Sequence, residues 1–262
     1  MEGILDGASA DARLFLLILC RVSGLVLVAP VFGSAALPHP AKAFFALVLA
    51  ALFLPLVRRP EVVPPPEAGA LLLAAGGELA VGLLLGFAAS LLFAGVQLGG
   101  QLIDQELGFL MANVLDPVTN EQVSIVAQFK LILSVVVYLL LEGHHFLLTA
   151  VRDSFDAVPL MGARLSAGAA LRVSDVLAGD LFRLAVQIAA PAMATLFLVT
   201  VAMALLARAV PEMNLFLLGF PARVAVGLAV LALGVGLFAA GFRAMQEGNA
   251  EGIRTLLRGL GG

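Results

Sequence analysis

Tryptophan is absent from this chain, tyrosine occurs once and cysteine once, and only 13% of the 262 residues are charged. Each scarcity excludes something. Soluble domains carry about 25% charged residues, so this composition cannot build a water-facing surface. The lone Cys20 cannot close an internal disulfide. With no Trp and only Tyr138, the aromatic belt usual at membrane interfaces is nearly missing. Either Phe and Arg do the anchoring or much of the surface faces protein instead of lipid. The three histidines offer little to a metal. His39 lies in a proline-rich turn, and His144 and His145 are adjacent, whereas zinc hydrolases place two His one helical turn apart with a third ligand. There is no nucleotide-binding glycine loop and no Gly-x-Ser-x-Gly elbow. No catalytic residue, metal or cofactor is expected, so the chain is not read as an enzyme. A net charge of −3 gives no footing for nucleic acid.

Apolar residues are abundant, at 61% of the chain, with a mean hydropathy of +1.08. They come in continuous runs, not in the ten-residue alternation of a membrane β-barrel. The fold class expected is an all-α membrane protein of about six long helices, over 14–36, 43–57, 68–96, 123–141, 181–207 and 214–241. Spanning the hydrocarbon core takes about 20 residues. Residues 43–57 would rise only about 22 Å and 68–96 about 43 Å. Mismatch of this size is absorbed by tilt or thinning, or by packing in a protein assembly. The N-terminus carries Glu2, Asp6 and Asp11 where a secretory signal needs a basic stretch, so the first helix is expected to be retained. Pro40 and Pro221 each open an apolar segment, as proline suits a first helical turn. Arginines collect on one face under a six-crossing scheme, which would put both termini in the cytoplasm and the 97–122 loop outside.

Three constellations stand out. Gly82 and Gly86, then Gly95 and Gly99, are small residues four apart, with Ser90 continuing the row. They clear a helix face for a neighbouring backbone, within this chain or in another subunit. Arg21, Glu78 and Lys130 are charges inside apolar segments. Such charges face a polar cavity or a partner; Arg21 and Lys130 could pair with Glu78 or with acidic groups elsewhere, the alternative being snorkelling at helix ends. Finally, 97–124 mixes polar and apolar residues irregularly, with Gly108 interrupting and Asp116-Pro117 closing it. Irregular backbone at membrane depth must line a cavity or sit in protein. The apolar Phe109-Leu110-Met111-Ala112 after a glycine hinge could close a pore by excluding water, or the segment could simply join two helices.

Gly-Gly-Gln-Leu-Ile-Asp-Gln at 99–105, Gly108-Phe109 with Asn113 and Asp116-Pro117, and Gln122-Val123-Ser124 together resemble the central signature of the FliR family. The likeness continues through Gly143-His144-His145, Ser154-Phe155, Pro159, Ala190-Pro191, Arg208 to Phe216 and Gly219-Phe220-Pro221, in the same order over nearly the whole chain. The resemblance implies a subunit of the flagellar type III protein-export gate in the bacterial inner membrane. Its implied partners are FliP-like and FliQ-like membrane subunits, an FlhB-like cap, membrane lipid and the exported unfolded flagellar proteins. It implies a FliP-like part over 1–180 and a FliQ-like hairpin over 181–262, in one integral-membrane domain. It makes Gly108, Phe109, Leu110, Met111, Ala112, Asn113, Asp116 and Pro117 the plug. Arg208, Pro211, Glu212 and Asn214 become the tip of the hairpin, facing the cytosolic cap, against the arginine count. A virulence secretion system contains a close relative, and a small-solute transporter using Arg21, Glu78 and Lys130 is the other reading.

Overall fold

The computed structural model describes residues 2–34, 36–57, 65, 67–109, 124–162, 167–210 and 215–261. Among the described residues every regular element is an α-helix: α1 (Glu2–Val28), α2 (His39–Phe53), α3 (Ala68–Leu107), α4 (Ile125–Leu140), α5 (Gly143–Ala157), α6 (Ala167–Ala209), α7 (Leu215–Leu233) and α8 (Val235–Gly261). Among the described residues, eight helices thus stand where about six were expected. The expected segments 123–141 and 214–241 stop short of the helix pairs they belong to. The first pair breaks at Glu142, whose φ of 55° is left-handed, and the second at Gly234. Between the expected segments 123–141 and 181–207, which leave 142–180 uncovered, stand α5 and the start of α6. Pro40 does sit in the first turn of α2, where a missing N–H costs no bond. Pro221, by contrast, lies inside α7, which begins at Leu215.

Helix α3 runs on to Leu107, past the expected end at 96. The reason is readable in its last turns. Val96, Gly99, Gly100, Ile103, Asp104 and Leu107 are buried while Gln97, Gln101 and Gln105 are exposed, a 3.6-residue period with its polar stripe outward. At 40 residues this helix is about 60 Å long, about twice the hydrocarbon thickness. Ala68–Leu107 and Leu181–Ala209 are long and apolar enough to cross a membrane, and two broken pairs, Ile125–Leu140 with Gly143–Ala157 and Gly219–Leu233 with Val235–Leu257, could raise the number to four. The protein is an all-α membrane protein.

The chain divides into two compact units: residues 1–91, 142–177 and 247–262, and residues 92–141 and 178–246. In the first, α1 and α3 meet backbone to backbone. A Cβ on Gly82 would overlap the carbonyl of Arg21, one on Gly86 would lie 2.9 Å from the Leu25 carbonyl, and one on Gly24 would lie 2.5 Å from that of Leu79. Three glycines on two helices therefore set one close crossing. Beside it, α2 returns from the Pro38 turn, held by stacked Phe32 and Phe45 rings 4.8 Å apart and by Lys42 Nζ donating to the Gly33 carbonyl at 2.9 Å.

One buried polar network ties this unit together. Arg21 and Glu78 are both 0% exposed. Arg21 Nε donates to Glu78 Oε2 at 2.6 Å, and Nη2 lies 2.6 Å from the same oxygen without hydrogen-bond alignment. Nη1 donates to the carbonyls of Ser154 and Val158, each at 2.9 Å. The guanidinium also stands over the Phe155 ring, 4.5 Å from its centre. The other Glu78 oxygen, Oε1, accepts the Met161 N–H at 2.8 Å. Met161 has a φ of 65°, in the left-handed region that a non-glycine residue enters at a cost of about 1–3 kcal/mol. The bond to a buried carboxylate offsets that cost. α1, α3, α5 and the turn after α5 thus share one ion pair.

In the second unit the core is built on Ile103, Leu107, Val126, Ala189, Ala192, Leu196 and Leu231. A Cβ on Gly95 would meet Leu184 at 2.9 Å, one on Gly99 the Ala185 carbonyl at 2.9 Å, and one on Gly227 would overlap Leu107. Phe93 meets Tyr138 and Phe242 edge-on at 5.2 and 6.1 Å.

Two outcomes follow for stability, both read as thermal unfolding of the purified protein in detergent. Gly82→Ala should destabilise by about 1–3 kcal/mol because the helices must move apart. Gly76→Ala, on the same helix with nothing within 4 Å of the new methyl, should stabilise by about 0.5–1 kcal/mol. Equal effects at the two positions would remove the close-crossing account. Likewise Arg21→Met alone should cost about 3–5 kcal/mol by stranding Glu78, and Arg21→Met with Glu78→Leu should cost clearly less. A double variant as unstable as the sum of its parts would mean that the two charges are not coupled.

Candidate functional site

The predicted plug begins where α3 ends, and the sequence explains the ending. Gly108 has a φ of 84°, a left-handed conformation that glycine adopts without penalty. Its N–H bonds to the Gln105 carbonyl and the N–H of Phe109 to that of Asp104, both at 3.2 Å. This paired pattern is the Schellman cap of a helix C-terminus. The accompanying apolar contact is present too. Phe109 packs on the cluster of Ile103, Leu107 and Leu231 and meets the Phe220 ring edge-on at 6.3 Å. Leu110, Met111, Ala112, Asn113, Asp116 and Pro117 lie outside the described residues.

The chain is described again at Ser124, which caps α4: its Oγ accepts the Ala127 N–H at 3.3 Å. Asp104 joins it from α3. The Ser124 hydroxyl donates to Asp104 Oδ2, as does the Val126 N–H at 3.1 Å, with the Ala127 N–H at 3.4 Å. Asp104 is 1% exposed. One turn earlier, Gly100 gives α4 room, since a Cβ there would overlap Ala127. Both residues stand in the 99–105 motif, yet sequence reasoning assigned neither a role of its own, although Asp104 carried a signal. An acid in the last turn of a helix opposes the helix dipole, so it needs a donor set from elsewhere, and the N-terminus of α4 supplies one.

The three charges in apolar segments separate. Arg21 and Glu78 pair with each other, in mid-helix, which removes the snorkelling alternative for them. Lys130, on α4, is also buried, with Nζ 4.6 Å from the centre of the Phe238 ring. Among the described residues no carboxylate lies within ion-pair distance of it. The packing glycines Gly82, Gly86, Gly95 and Gly99 all meet helices of this chain, and Gly24, Gly100 and Gly227 join them. At the expected hairpin tip, Arg208 is exposed in the last turn of α6, and Pro211, Glu212 and Asn214 lie outside the described residues. The His144 and His145 rings lie 4.2 Å apart, tilted by 43°, with His145 Nδ1 3.4 Å from Glu142. Among the described residues no three His, Cys, Asp or Glu side chains are grouped to hold a metal.

Comparison with known proteins places this arrangement. Residues 12–248 match the family described as bacterial export proteins, family 1. The flagellar biosynthetic protein FliR of Bacillus subtilis is 32% identical over 253 residues, covering 94% of this chain and 95% of its own. That of Escherichia coli K12 is 28% identical, covering 82% and 81%, and that of Aquifex aeolicus is 26% identical, covering 89% and 90%. A match of this length takes in the Arg21 network, the α3 cap and the α4 N-terminus alike, and the chain belongs to the FliR family of bacterial export proteins.

Proposed function

We propose that this protein is a non-enzymatic subunit of the flagellar type III export gate in the bacterial inner membrane, forming part of the channel wall and its plug. Unfolded flagellar proteins would pass it. Its partners would be FliP-like and FliQ-like membrane subunits with an FlhB-like cap, the FliP-like part being 1–180 and the FliQ-like hairpin 181–262. The observation that carries the plug reading is the end of α3. A glycine-capped helix delivers the apolar Phe109 onto an apolar cluster, at the head of the run Leu110-Met111-Ala112 that could exclude water from a lumen. The surface of α6 suits an assembly: only 22% of its apolar span is buried within the chain, against 61% for α3. The transporter reading is weakened because Arg21 and Glu78, two of its three candidate charges, are consumed by each other and by backbone groups. The flagellar names of the relatives favour a flagellar over a virulence system.

Deleting Phe109 to Ala112 should leave the complex assembled but leaky to ions or dye, since no helix is shortened. Permeability is measured in cells and normalised to assembled complex, and an unchanged value would remove the plug. At Gly108 a side chain would meet only the Phe220 ring at 3.5 Å, so the obstacle there is conformational. Gly108→Val should lower secretion of flagellar protein into the medium, whereas Gly108→Asn, which tolerates the left-handed region, should retain most of it. Equal secretion by the two variants would show that the positive φ is not required.

A further inference from the structure

We propose that Asp104 is a positioning residue of the gate, a staple that fixes the two helix ends between which segment 110–123 is strung. The proposal rests on the plug reading and extends it to a residue outside the plug. Asp104 closes both ends at once. Its backbone carbonyl accepts the Phe109 N–H at 3.2 Å and so completes the cap of α3. Its carboxylate accepts the N–H groups of Val126 and Ala127 and the hydroxyl of Ser124, and so caps α4. The donors are matched to a charge. The first N–H groups of a helix have no partner within it, and the helix dipole favours an anion there. Among the described residues no cation lies within ion-pair distance of Asp104, so the end of α4 is what neutralises it.

The contact is also held sterically. Gly100, one turn before Asp104 on the same face, lets α4 come so close that any side chain there would collide with Ala127. Bond and close approach together fix where the chain leaves α3 and where it enters α4. The separation of these two helix ends is thereby fixed by described residues alone.

The test uses the full chain in its native complex. Gln105 and Gln128 are both exposed, one on each side of the staple. Spin labels on Gln105→Cys and Gln128→Cys, with Cys20→Ala as background, report the separation of the two ends. Charge-assisted hydrogen bonds of this kind hold a pair together by about tenfold to a hundredfold in population. Asp104→Ala should therefore broaden the distance distribution and raise permeability, at unchanged amounts of assembled complex. An unchanged distance overturns the proposal whatever the permeability does. A broadened distance without leak, in cells where the deletion of Phe109 to Ala112 does leak, also overturns it and leaves the plug reading standing. If the deletion itself does not leak, the plug reading fails and the proposal falls with it. Should the alanine variant not assemble, Asp104→Asn, which keeps the size and one acceptor, must show both effects in smaller measure, and an assembled Asn variant with neither overturns the proposal.

Discussion

A carboxylate buried in an apolar helix has to be answered by donors, and in this protein two such carboxylates sit on one helix. Glu78 and Asp104, both on α3, are the buried acids among the described residues. Each recruits groups distant in sequence. Glu78 takes the guanidinium of Arg21 and the N–H of Met161, while Asp104 takes the opening N–H groups of α4. Burying a charge unpaired costs several kcal/mol even after relaxation, so these partners are obligatory. The positions of α1, α5 and the start of α4 relative to α3 follow from that obligation.

Apolar burial alone could not impose such definition. Lipid is as apolar as leucine, so helices in a membrane gain little by hiding apolar faces from it. What remains is van der Waals contact, which strengthens as backbones come closer. The glycines of α3 serve this end on both units: Gly82 and Gly86 against α1, and Gly95, Gly99 and Gly100 against α6 and α4. Polar satisfaction and close approach then act at neighbouring positions, Glu78 one turn from Gly82 and Asp104 one turn from Gly100. A single helix thereby carries most of the information that specifies its surroundings.

Much of this was legible in the sequence and some was not. The membrane class follows from composition. The cost of buried charge and the spacing of Gly82, Gly86, Gly95 and Gly99 mark Arg21, Glu78, Lys130 and that glycine row as needing partners, but neither says whether the partner lies in this chain or in another. The length of α3 did not emerge, because Gln97, Gln101, Gln105 and Glu106 make 97–107 look like a loop unless their helical spacing is weighed. Gly24, Gly100 and Gly227 were missed because each acts as a single glycine, with its partner surface supplied by another helix. The break at Glu142 was hidden for a different reason. A glutamate gives no hint of a left-handed backbone, and only the geometry of the joined helices imposes it. The role of Asp104 needed its partner's position, which is tertiary information.

The Arg21 network also has a calendar. Arg21 precedes Glu78 by 57 residues and Ser154 by 133. At about 5–20 residues per second, roughly 7–27 s of synthesis separate Arg21 from Ser154. During that interval the ribosome has delivered the cation but not the carbonyls that complete its shell. The network therefore cannot close until α5 has been made, and until then Arg21 lacks the Ser154 and Val158 carbonyls that it holds in the folded chain.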